Sequence, residues 1–149
     1  MKPNKIPTYL THKPIYAINW YGAIDGAYKN NTDVIGLSVG KCQWNSDGMI
    51  PSVKVWRYKC DSNRWSRQSE ETTLTRALDM ATLVLKVLGK HYCGNSFKAE
   101  NTVFGSVCIE EMTKNPSLIS ELNDYLLNNK SDIETHIKML ESALEEYRR

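Results

Sequence analysis

The 149 residues carry 41% hydrophobic and 24% charged side chains with a net charge of +2, the balance of a single ordinary globular domain (1–149) long enough to bury its own core. No apolar run reaches the roughly 18 residues of a bilayer span, and Met1-Lys2-Pro3-Asn4-Lys5 leads into no apolar signal segment, so a cytoplasmic location with no membrane partner is expected. Cys42, Cys60, Cys93 and Cys108 stand 18, 33 and 15 residues apart without a CxxC pair, which points to four reduced thiols rather than a disulfide framework or a zinc site.

Residues 1–32 read as irregular: Pro3, Pro7 and Pro14 interrupt them, and Asp25-Gly26 and Asn30-Asn31 are turn signals. Tyr16, Trp20, Tyr21 and Tyr28 are too aromatic for a free tail, so this segment is expected to lie across a sheet. The first predicted strand is Asp33 to Trp44, where Ile35, Leu37 and Val39 alternate with Gly36, Ser38 and Gly40. Its small-residue face admits something close to the backbone, whether a helix, another subunit or a ligand. Asn45-Ser46-Asp47-Gly48 turns the chain into a second strand, Ser52 to Lys59. There Val53 and Val55 point one way, and Lys54, Trp56 and Tyr58 the other. Cys60-Asp61-Ser62-Asn63 then leads to a short third strand, Arg64 to Arg67. These connections are too short for parallel crossovers, so the unit is an antiparallel meander.

From Thr72 the period becomes helical. Leu74, Ala77, Leu78, Ala81, Leu85 and Leu88 share one stripe, with Ser69 or Thr72 as cap and Gly89 as stop. Tyr92 to Glu100 reads as a loop and Val103 to Met112 as a helix. Asn115-Pro116 is an N-cap followed by proline at the first helical position. Ser131 with Glu134 forms a capping box, followed by Ile133, Ile137, Leu140, Leu144 and Tyr147 at alternating four and three spacing. That seam suits the preceding helix or the same helix of a second copy, which makes a homo-oligomer through residues 131–148 one expectation. The fold class is therefore α+β: a small antiparallel β-meander on a long core helix, followed by a C-terminal helical hairpin.

Charge is unevenly spread. Residues 1–109 hold 14 Lys/Arg against 8 Asp/Glu, whereas residues 110–149 hold 5 against 9, so an anion is drawn to the first part. Duplex DNA is not an expected partner, because no basic stripe runs along one helix. The densest chemistry lies in Trp56-Arg57-Tyr58 and Arg64-Trp65-Ser66-Arg67-Gln68-Ser69-Glu70-Glu71. Indoles stack planar rings and guanidinium groups grip phosphate or carboxylate bidentately. The candidate ligand-binding residues are Trp56, Arg57, Tyr58, Arg64, Trp65, Ser66, Arg67, Gln68 and Ser69. The competing account is that the tryptophans are core and the arginines are paired with carboxylates.

These segments, with Leu37-Ser38-Val39-Gly40, Gln43-Trp44 and Leu74-x-Arg76-Ala77-Leu78-Asp79, resemble a family of small bacterial and phage proteins catalogued as a domain of unknown function. The likeness covers about residues 14–90 and implies no established activity or catalytic residue. Small oligomeric phage proteins of this size sometimes sequester nucleotide signals of host immunity, an analogy only.

The reading that results is non-catalytic binding of a small anionic, nucleotide-like ligand, with no cofactor and no metal. One alternative is a protein-interaction module acting through the acidic C-terminal helices. The other is a small nucleotide hydrolase with Glu70 or Glu71 as base. Adjacent carboxylates diverge by about 100° on a helix, so this pair cannot flank one bond. No spacing aims Cys93 or Cys108 at His91 or His136 as a nucleophile pair, and no phosphate loop, dinucleotide fingerprint or HExxH is present.

Overall fold

The computed structural model describes residues 1–25, 28–43, 47–67, 74–97 and 107–149. Its strands are β1 (Lys13–Ile18), β2 (Val34–Lys41), β3 (Pro51–Lys59), β4 (Arg64–Trp65) and β5 (Glu110–Glu111); its helices are α1 (Leu74–Cys93), α2 (Pro116–Asn128) and α3 (Lys130–Tyr147). The strands form one antiparallel sheet in the order β4-β3-β2-β1-β5. The architecture is α+β as expected, with a meander, a long helix and two C-terminal helices. Among the described residues no helix is long and apolar enough to cross a membrane.

One element expected to be irregular is a strand. Residues 15–18 are all buried, and β1 pairs with both β2 and β5. A run covered on both faces shows no alternation, which hides it from a period-two search. Pro14, which cannot donate to a ladder, sits where the β1–β2 register shifts. Residues 1–12 do cross the sheet: Ile6 and Leu10 pack with Ala17, Trp56, Trp65 and Met112. Gly36 is what lets them approach, since a Cβ there would lie 2.5 Å from Ile6 Cγ2. The close partner of the small-residue face is thus the chain's own N-terminal segment.

The opposite face holds the main core, where Tyr16, Leu37, Val39 and Val55 meet Leu83, Val87 and Leu88 of α1 and Leu122 and Leu126 of α2. The rotation of α1 differs from the expected stripe. Leu74 and Leu78 are 86% and 66% exposed, while Arg76, Leu83, Val87 and Leu88 are buried. An arginine faces inward because Asp25 waits for it, a partner 51 residues distant in the chain. The helix also runs past Gly89 to Cys93 and ends before Gly94, whose φ of 71° is the left-handed stop. The expected cap residues Ser69 and Thr72 lie outside the described residues.

The region read as a helix over 103–112 is, in its described part, extended: β5 at Glu110–Glu111 pairs with Tyr16 and Ala17. Asn115 caps α2 as expected, its Oδ1 accepting from the Ser117 amide at 3.0 Å. The Ser131 capping box does not form. Helical hydrogen bonds cross the junction (Asn129 N to Tyr125 O at 3.0 Å, Ile133 N to Asn129 O at 3.1 Å), so α3 begins at Lys130 without a side-chain cap. No residue of α3 is buried, and only Ile133 and Ile137 rest on the core.

Candidate functional site

Strand alternation decides what becomes of the expected site. Trp56 and Tyr58 point to the face crossed by the N-terminal segment, and Trp65, the register partner of Tyr58, joins them. Arg57 points the other way, as do Lys59 and its register partner Arg64. The indoles and the guanidinium groups therefore do not share one cleft.

On the aromatic face, Trp56 is 1% exposed and donates its Nε1–H to Ser38 Oγ at 2.8 Å. The Trp65 and His12 rings meet it edge-on at 5.8 and 5.7 Å, and Lys54 Nζ lies 4.4 Å from its centroid. Trp56 is thus a core residue and no stacking platform. Trp65 is half-buried between Trp56 and Tyr58. His12, also buried, lies 3.1 Å from Ser38 Oγ through Nε2 and 3.1 Å from Ser52 Oγ through Nδ1. Burial, and then the charge of Lys54, pull its pKa from 6.5 down to about 4, so the ring is neutral. Both nitrogens are engaged, which marks a structural histidine.

On the helix-facing side the charged residues form a continuous row. Asp25 accepts Arg76 Nε at 2.8 Å and Nη2 at 2.7 Å, with both side chains buried. Hydrogen bonding to Asp25 pushes the Arg76 pKa up against the cost of its burial, and Asp33 adds to the effect. Asp33 in turn accepts Arg57 Nη1 at 2.7 Å. The half-exposed ring of Tyr28 lies 5.7 Å from the Arg76 guanidinium. Lys59 follows Arg57 on the same face, directly across from Arg64, and both are exposed. Beneath the row the Tyr21 hydroxyl donates to Asp79 Oδ2. Desolvation, and then the nearby Asp25, raise the Asp79 pKa. Burial, and then that hydrogen bond, raise that of Tyr21.

Of the nine expected residues, Arg57 and Arg64 fall in this row. Ser66 is half-buried and Arg67 exposed just beyond β4, while Gln68 and Ser69 lie outside the described residues, as do Glu70 and Glu71. Lys59, Tyr28 and the Asp25–Arg76 pair were missed. One signal was available for the pair, an arginine falling at helical spacing with Met80, Leu83 and Val87. The described residues contain no cluster of three or more His, Cys, Asp or Glu able to hold a metal. The two histidines weighed as partners for a cysteine nucleophile have other neighbours: His91 bonds Tyr16 Oη at 2.9 Å and Asn123 Oδ1 at 3.2 Å, and His136 is exposed beside Asp132.

The model of one family, described as a family of unknown function (DUF6530), matches residues 4–149. The match takes in the C-terminal helices as well as the segment from 14 to 90 that carries the motifs. No curated protein and no solved structure matches the chain.

Proposed function

We propose that this chain, which belongs to the DUF6530 family of unknown function, binds a small anionic, nucleotide-like ligand along the row from Tyr28 to Arg64 and does not turn it over. The observation behind this reading is Lys59 facing Arg64 as a register pair. Like charges placed directly opposite destabilise a hairpin, and neither forms an ion pair with a described residue. A phosphate between them removes that repulsion, with Arg57 held at hand by Asp33. Tyr28 offers the exposed aromatic surface that the buried Trp56 does not.

Calorimetric titration with pyrophosphate and with AMP tests the reading. Arg64→Glu lowers the affinity for both by tenfold or more, since each charge-assisted contact contributes about 1.5–3 kcal/mol. Tyr28→Ala weakens AMP alone. Equal affinity of the wild type and Arg64→Glu would refute it, as would heat-silent titrations with both ligands. Recovery of AMP as adenosine and phosphate would replace binding with hydrolysis.

The second part of the proposal is self-association in the cytoplasm through α3. Leu140, Leu144 and Tyr147 are 43%, 45% and 85% exposed along the 4-3 seam, which suits the same seam of another copy. Sedimentation then gives a dimer that Leu140→Glu with Leu144→Glu returns to monomer. A wild-type monomer at all concentrations rejects self-association and leaves the acidic helices to a different protein partner.

A further inference from the structure

We infer that the cleft between the N-terminal segment and the turn at Tyr21–Ala23 is a second binding site, built for a hydroxylated sugar ring stacked on Trp20. The cleft holds about 290 Å³ and is lined by Asn4, Trp20, Asn30 and Thr32, among others. That is the small end of ligand pockets, room for one ring rather than an extended molecule.

Trp20 carries the inference. Its φ of 59° and ψ of 24° put it in the left-handed region, which a bulky side chain enters only at a cost. Its side chain is only half covered by the fold, being 51% exposed. The contacts that hold the backbone there are Trp20 N to Asn4 O at 3.1 Å and Ala23 N to Trp20 O at 3.0 Å. Any residue makes these, and glycine or asparagine would make them with less strain. The backbone conformation therefore does not select a tryptophan at this position, and strain kept under a half-exposed aromatic ring points to function.

The rest of the cleft supplies matching chemistry. Asn30 is also left-handed, with φ of 61°, fixed by its amide donating to Gly22 O at 2.7 Å. The side-chain amides of Asn4 and Asn30 make no hydrogen bond with a described residue. Each offers a donor and an acceptor, the pairing that vicinal hydroxyls require, while the C–H face of a sugar suits an indole. The Lys2 ammonium is turned onto the Thr32 carbonyl, so it straps the N-terminal segment across one side of the cleft. The resulting wall has amides rather than a bare cation and favours a neutral ring. The source is either a free sugar or the ribose of a nucleoside.

Saturation-transfer NMR on the full chain with the methyl glycosides of glucose, galactose and N-acetylglucosamine, and with ribose and adenosine, tests this. At least one of them receives saturation at its ring protons. Trp20→Gly, which suits the left-handed backbone, lowers that affinity tenfold or more while the melting temperature stays level or rises. Asn30→Gly weakens binding with the fold intact. Transfer to the glycosides alone assigns a free sugar, and transfer to ribose and adenosine alone assigns a nucleoside; both outcomes support the site. Absence of transfer from all five overturns it, as does undiminished transfer in Trp20→Gly. The anion row is independent of this test, since Arg64→Glu leaves the sugar signal unchanged and Trp20→Gly leaves pyrophosphate binding unchanged.

Discussion

The Asp25–Arg76 pair gives the most demanding check on the structure. Arg76→Met keeps most of the side-chain volume and removes the guanidinium. That leaves Asp25, whose side chain is 0% exposed, without the two bonds at 2.8 and 2.7 Å that satisfy it. Removing one member of a buried pair costs about 3–5 kcal/mol, because the survivor stays buried and uncompensated. For a chain of this size that lowers the melting temperature by about 6–20 °C. The control is Asp25→Leu with Arg76→Met, which buries no charge and should recover most of the loss. Thermal denaturation of the wild type, Arg76→Met, Asp25→Leu and the double mutant at pH 7.5, followed by circular dichroism, reads the cycle. A single mutant within about 2 °C of wild type, or a double mutant as unstable as the sum of both singles, would refute the buried pair and the helix rotation it sets.

His12 makes stability depend on pH. Its native pKa of about 4 lies below the 6.5 of the unfolded chain, so its contribution is complete above pH 6.5 and is lost as pH falls toward 4, worth about 3 kcal/mol in all. His91 is shifted in the same direction, and urea midpoints across this range should show a weaker pH dependence in His12→Gln. Asp79 works oppositely: its raised pKa penalises the charged form in the native state. Asp79→Asn, which still accepts from Tyr21, should raise the melting temperature at pH 7.5, a gain that vanishes below about pH 3.8. Trp56→Phe loses the bond to Ser38 and part of a packed ring, so it should cost about 1–3 kcal/mol by urea denaturation. AMP affinity should be unchanged in that variant, and a large loss would return Trp56 to the binding site.

How the candidate site came apart is instructive in the particular residues. Trp56 and Arg57 are neighbours in a strand, so period-two alternation alone sends them to opposite faces, and that separation was legible in the sequence. Which of Arg64 and Trp65 joins the face of Trp56 was not, because it depends on the register with Lys59 and Tyr58, which the intervening turn sets. The density of polar residues was visible, but density along a chain does not imply convergence in space. Trp20 stood out in the sequence only as one aromatic among several in the first 32 residues. Its significance lies in a backbone angle and an exposure.

Local physics determined a good deal from the sequence by itself: alternation in β2 and β3, the Asn115-Pro116 helix start, and the 4-3 seam of α3. Each depends on residues within a few positions, where side-chain period and hydrogen-bond geometry are set by the backbone. Only the tertiary structure decided that residues 15–18 form an inner strand and that α1 turns Arg76 inward. It also placed the N-terminal segment on Gly36, with Trp56 beneath the aromatic face. Those outcomes are set by partners far along the chain, such as Asp25 for Arg76 and Ile6 for Gly36. A buried charge or a close backbone approach becomes favourable only once that partner is in place.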